Sequence, residues 1–125
     1  MEAIHTEKAP AAIGPYSQAT RHGDTLYVSG QLPVVPETGE FNSQDVVEQT
    51  RQALTNLKAV VEAAGADMSK VLKTTVLLTD LSKFADVNAA YAEFFKAPFP
   101  ARACYQVAAL PKGAQIEIEA IVALS

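Results

Sequence analysis

The chain has 125 residues, with 10 Lys and Arg against 14 Asp and Glu, a formal net charge of −4 and 49% hydrophobic content. That length closes one hydrophobic core but not two, and the composition is that of a folded domain, not a disordered one. The acidic balance argues against a sequence-independent hold on nucleic acid, the single cysteine excludes an internal disulfide, and His5 and His22 are too isolated for a zinc site.

The opening "MEAIHTEK" has neither a basic start nor an apolar run, so no secretory or transit signal is visible and a cytoplasmic location is the expectation. The longest uncharged stretches, Ala9 to Thr20 and Thr25 to Pro36, contain prolines and fall well short of the roughly 20 apolar residues of a membrane span. Gly14-Pro15 marks "AIGPYSQA" as a loop. Thr25 to Gly30 reads as a short strand ended by Gly30, and Pro36 to Gly39 has turn chemistry.

From Ser43 to Ala64 the apolar residues Val46, Val47, Ala53, Leu54, Leu57, Val60, Val61 and Ala64 recur at the spacing of an amphipathic helix. Asn42 or Ser43 is the expected cap, and Gly65 supplies a left-handed stop. The β-branched run Lys70 to Asp80 predicts a strand. A second helix is expected from about Ser82 to Phe95, with Phe84, Val87, Tyr91, Phe94 and Phe95 on its buried side, broken by "APFP" at Ala97 to Pro100. Two last strands, Ala103 to Leu110 and Gln115 to Leu124, meet at "PKGA", whose turn chemistry predicts a hairpin.

No linker or repeat interrupts this order, so residues 1–125 are expected to form one domain. Its class is α+β, a single mixed sheet with two helices packed on one face. In the last strand Ile116, Ile118, Ala120 and Val122 point one way, while Glu117, Glu119, Ile121 and Ala123 point the other. Two helices cannot cover both sides, so the second, mixed face is expected to meet other subunits.

Few residues stand out as chemical. Arg102, presented just after Pro100, can pair bidentately with a small carboxylate, or simply be a structural salt bridge or a surface arginine. Cys104 shares its face if the strand has already begun there; it reads either as a nucleophile or as a small buried hydrophobe, and no histidine is nearby in sequence to make a thiolate. Glu117 and Glu119 can hold or activate water if burial raises a pKa, or merely face solvent, and either acid lies across the expected hairpin from the arginine. Tyr16 can wall a pocket, Ser29 can donate a hydrogen bond, and Asn88 can bond a neighbouring loop or subunit; packing, turn formation and an ordinary polar helix position explain them as well. No Gly-rich phosphate loop, Ser/His/Asp set or metal motif is present, which leaves cofactor-free chemistry or plain binding.

Six stretches taken in order are more specific than any of these alone: "APAAIGPYSQA", "VSGQLPVVPETGE", "QTRQALTNLKAVVEAAG", "VNAAYAEFF", "FPARAC" and "LPKGAQIEIEAI". With them the chain closely resembles the RidA family, also called YjgF, the reactive-intermediate deaminases, from about Ala9 to Val122. The resemblance implies a chorismate-mutase-like fold, a homotrimer with sites between subunits, and no cofactor. It implies hydrolysis of 2-imino acids such as 2-iminobutanoate and 2-iminopropanoate, formed by PLP-dependent dehydratases, to 2-oxo acids and ammonia. By the same resemblance Arg102 binds the substrate carboxylate, the backbone at Cys104 contacts the reacting end, Glu117 positions the attacking water, and Tyr16, Ser29 and Asn88 line or support the cleft. The chain departs from many members in carrying Ala103 in place of serine and a short loop before Phe99, which bears on substrate preference. Competing readings are a non-catalytic trimeric binder of small carboxylates and, with less in its favour, an endoribonuclease or translation inhibitor.

Overall fold

Six strands and two helices carry the chain in the computed structural model, which describes residues 1–125. In chain order they are β1 (Glu2–Ile4), β2 (Ala19–His22), β3 (Thr25–Gln31), α1 (Val46–Ala63), β4 (Val71–Leu78), α2 (Phe84–Tyr91), β5 (Ala101–Gln106) and β6 (Ile116–Ala123). The sheet order is β1-β2-β3-β6-β4-β5, antiparallel throughout except for the parallel pair β4 and β5. No helix is long and apolar enough to cross a membrane.

The amphipathic spacing of α1 does what its pattern predicts: Ala53, Leu54, Leu57, Val60 and Val61 are fully buried against the sheet. Truncating one such leucine to alanine typically costs about 2–5 kcal/mol. Its cap is Asp45, not Asn42 or Ser43. The Asp45 carboxylate accepts the Glu48 N–H at 3.1 Å, while Ser43 Oγ is already taken by the Asp45 N–H and Asn42 donates to the Glu48 carbonyl. At the other end Gly65, at φ +87°, lets its own N–H reach the Glu62 carbonyl and the Ala66 N–H reach Val61. These are the paired bonds of a left-handed helix stop.

Polar groups buried on α1 tether the loops around it. Asn56 donates to the carbonyls of Leu32 and Val34, and Gln49 donates to the Ser43 carbonyl and accepts from the Gln115 N–H. No buried side-chain nitrogen or oxygen lacks a partner.

Three further expectations need correction. Gly30 does not end its strand: β3 continues to Gln31, with Val28 opposite Ala120 and Gln31 opposite Ile118, so one extra residue is accommodated as a bulge at Ser29-Gly30. The second helix is shorter than Ser82 to Phe95. Its flanks Leu81–Lys83 and Ala92–Phe94 tighten into 3₁₀ turns, the first closed by the Asp80 carboxylate accepting the Ser82 N–H.

The largest correction concerns the last two strands, which form no hairpin. β5 is an edge strand paired only with β4, while β6 lies between β3 and β4. β6 has its alternate residues Ile116, Ile118, Ala120 and Val122 buried and three of the other four half-buried, and so requires a neighbour on both sides. β5 is exposed at both ends and follows α2 as the parallel partner of a β-α-β crossover. The link from Val107 to Gln115 steps past β4, bonded on the way by the Val107 N–H to Leu78 and the Thr79 N–H to Gln115.

Both helices lie on the face to which Ile116, Ile118, Ala120, Thr74 and Val76 point. The opposite face is bare in a single copy: Tyr27 is 50% exposed, and with Lys73, Thr75, Glu119 and Ile121 it lines a shallow depression of about 280 Å³.

Candidate active site

The candidate side chains fall into two groups, one on each face of the sheet. On the helix-free face the loop before β2, the bulge in β3 and the start of β6 enclose a cleft of about 830 Å³. Tyr16, Ser29, Gly30, Glu117 and Glu119 line it, together with Pro111 and Lys112 from the link before β6.

The loop bearing Tyr16 has no regular structure but is fixed by the buried Gln18. Its Oε1 accepts the Thr6 N–H at 2.7 Å, and its amide nitrogen donates to the carbonyls of Thr6 at 3.0 Å and Pro10 at 2.8 Å. Ser29 Oγ donates to the Ser17 carbonyl at 2.6 Å, a hydrogen bond of the kind expected of it, and keeps its acceptor lone pairs for the cleft.

Glu117 points out of the hydrophobic face because Ile116 and Ile118, its neighbours in sequence, are both fully buried on the other side. It is half-buried, and desolvation, aided by the negative charge of Glu119, pushes its carboxyl above the usual carboxylate range. A carboxylate of raised basicity in a cleft can accept a proton from water.

Arg102, Asn88 and Cys104 are not in this cleft. Arg102 pairs in register with Thr74, and Thr74 Oγ1 shares a hydrogen bond of 2.7 Å with the phenol of Tyr91 on α2, so both belong to the helix-covered face. The guanidinium carbon sits 5.1 Å from the ring centre of Phe84 and 4.9 Å from that of Tyr91, while one nitrogen donates to Asn88 Oδ1 at 2.7 Å. It takes part in none of the ion pairs of the chain, which join Arg21 to Glu2 and Arg51 to Glu48 and Glu93. Within the chain Arg102 thus forms no structural salt bridge, and its side chain is exposed. A cation oriented by two rings and one amide, with no carboxylate of its own chain beside it, has the chemistry to pair with an anion.

Strand β5 begins at Ala101, so Cys104 does share the face of Arg102; it pairs with Val76 and packs against the core. Burial raises its thiol pKa, against the opposing pull of Arg102, which leaves the sulfur protonated near neutrality.

Arg102 and Glu117 are therefore not partners across a hairpin. Glu117 lies opposite Leu77 of β4 and Arg102 alongside Thr74, on opposite faces of the sheet. Sequence reasoning did not find the ring cradle of Arg102, although Phe84 and Tyr91 at i and i+7 with Asn88 between them was a readable signal. Nor did it find the role of Gln18 or the bulge at Gly30; a glycine inside a β-rich run was the available sign.

Comparison with known proteins gives a consistent picture. The chain is 62% identical to the RutC family protein y4sK of Sinorhizobium fredii over 125 residues, covering 100% of this chain and 99% of that one. It is 54% identical to the human 2-iminobutanoate/2-iminopropanoate deaminase over 118 residues, 94% of this chain and 86% of the relative. Its fold superposes with a TM-score of 0.96 on the crystal structure of E. coli TdcF with bound serine, at 47% identity and full coverage of both chains. The model of the family described as Endoribonuclease L-PSP matches residues 6–124, and with these relatives it makes the chain a member of the RidA/YjgF family.

Proposed function

We propose that the protein is a cofactor-independent deaminase that hydrolyses 2-iminobutanoate and 2-iminopropanoate, the tautomers of enamines released by PLP-dependent dehydratases, to 2-oxo acids and ammonia. The observation that carries this reading is Arg102, held by Phe84, Tyr91 and Asn88 without a carboxylate of its own. Support comes from the name of the human relative and from TdcF, whose structure contains a bound amino acid, serine.

The opposed placement of Arg102 and Glu117 favours a site completed by a second copy. Arg102, Asn88 and the Cys104 backbone of one subunit would close over Tyr16, Ser29 and Glu117 of the next, and a homotrimer closes this head-to-tail contact into a ring. The bare face around Tyr27 and Ile121 then becomes the buried contact.

In the reaction Arg102 holds the substrate carboxylate, and a water oriented by Glu117 adds its oxygen to C2 of the protonated imine while one of its protons passes to the Glu117 carboxylate. That proton goes on to the nitrogen of the resulting carbinolamine. The C–N bond breaks, the hydroxyl oxygen re-forms the carbonyl, and its proton leaves with ammonia as ammonium. The substrate imine is itself the electrophile, so the step calls for no other activator. We place this activity in the cytoplasm. The ribonuclease reading suggested by the family's description has less support, since the cleft carries Glu117 and Glu119 and Lys112 is its one cationic side chain.

The test couples the protein to an L-amino acid oxidase or a threonine dehydratase in the presence of semicarbazide. Added protein is expected to raise the rate of ammonia release and lower semicarbazone formation, and Arg102→Ala to abolish both effects. An Arg102→Ala variant as active as the parent removes the arginine from the mechanism.

A further inference from the structure

Gly30 lies in the cleft beside Glu117, at the bulge where β3 holds one residue more than β6. Among the six glycines its position is distinctive. A Cβ added at Gly23, Gly39, Gly65 or Gly113 would meet nothing within 4 Å, and one at Gly14 would meet only the edge of the Tyr16 ring at 3.8 Å. Those five all adopt positive φ, whereas Gly30 does not, so backbone conformation does not account for a glycine there.

The neighbour does. A Cβ at Gly30 would stand 2.7 Å from Cδ and 3.0 Å from Cγ of Glu117, and would collide outright with Oε2. The Glu117 side chain is laid along the bare Cα of residue 30, and the space a methyl group would fill is occupied by the carboxylate.

We infer that Gly30 is a positioning residue for the proposed deamination: the absence of a side chain at the bulge seats the Glu117 carboxylate in the cleft, and any larger residue there turns it out. This rests on the role given to Glu117 above. The colliding atoms belong to the far part of a flexible side chain and none is backbone, so the chain can relieve the clash by rotating Glu117 at little cost to stability. Gly30→Ala should therefore leave the fold in place and spoil the chemistry, the reverse of what a merely structural glycine does.

The test uses the full-length assembled protein and 2-iminopropanoate generated in situ by an amino acid oxidase acting on alanine. Glu117→Gln is measured first; full activity in that variant defeats the proposed function and leaves nothing for Gly30 to position. With Glu117→Gln inactive, Gly30→Ala is expected to keep the parent's melting temperature within a few degrees and to lower kcat about 100-fold, the loss an ångström-scale misplacement typically causes. Its residual activity should retain protonation control at lower pH than the parent, because a carboxylate swung into water returns toward the ordinary value of about 4.3.

Combining Gly30→Ala with Glu117→Gln should cost no more than Glu117→Gln alone. Parent-like kcat in Gly30→Ala overturns the inference, as do losses that multiply in the double variant. If Gly30→Ala unfolds the protein, stability decides: the same alanine placed in a Glu117→Ala background must then be tolerated, and unfolding in both backgrounds overturns the inference.

Discussion

The two faces of the sheet present opposite kinds of preparation. On the helix-covered side Arg102 is finished within one chain: two rings, one amide and a strand backbone fix its direction. On the bare side Glu117 is seated, but in an open cleft, and its raised pKa records lost hydration without the compensation of a nearby cation. The cation is held against two rings with no anion beside it, and the acid is partly desolvated with no cation raising its charge tolerance. In each case the group lacks what the other face holds, and within one copy the sheet separates them.

The sharpest way to break this comparison is to put the two defects on different chains. Arg102→Ala and Glu117→Gln homo-oligomers should each be inactive. Co-refolded in equal amounts as trimers, random mixing gives sites with both halves intact in about a quarter of cases, so about a quarter of parental activity should return. No recovery from verified mixed trimers would mean that both residues serve from the same chain.

A smaller effect probes the arginine side alone. Asn88→Ala removes a hydrogen bond to a charged group and should raise KM about tenfold with a lesser change in kcat. Phe84→Leu, which keeps an apolar contact but loses the ring face, should raise it about threefold. An unchanged KM in both variants would show that the cradle plays no part in binding.

The acid side has a signature in stability. Because the folded-state pKa of Glu117 is raised, its contribution to stability is fully present below the unfolded value of about 4.3 and is lost as pH rises through the folded pKa. Unassembled Glu117→Gln should thus melt higher than the parent at neutral pH, and the gap should close near pH 4. A variant that melts lower at pH 7 would mean that the charged form is stabilised by groups other than those around it here.

The smallest expected effect concerns Cys104. Its raised pKa should make alkylation by iodoacetamide at pH 7.5, about a unit below the ordinary thiol pKa, slower than that of a free thiol. Faster alkylation would bring a thiolate nucleophile back into consideration.

The helices, β4 and the alternation of β6 were legible in the sequence because each depends on a local period. So was the mixed character of the second face, where Ile121 stands between Glu119 and Ala123. The pairing of β5 with β6 was not legible. "PKGA" has hairpin chemistry, and no local signal separates a turn that reverses the chain onto its neighbour from one that carries it past an intervening strand. That single error put Arg102 and Glu117 on one surface. Gly30 was misjudged for a related reason: what makes it glycine is a carboxylate 87 positions later in the chain. β1 and β2 were too short to register against the loops around them.

Gln18 gives the first residues of the chain an importance their exposure hides. Segments ahead of the first long strand are commonly trimmed or tagged without thought. Here the amide of Gln18 takes its partners from Thr6 and Pro10, so the wall that carries Tyr16 is anchored to the start of the chain. An amino-terminal deletion reaching past Pro10 would leave a buried amide with nothing to bind and would loosen the cleft from outside it.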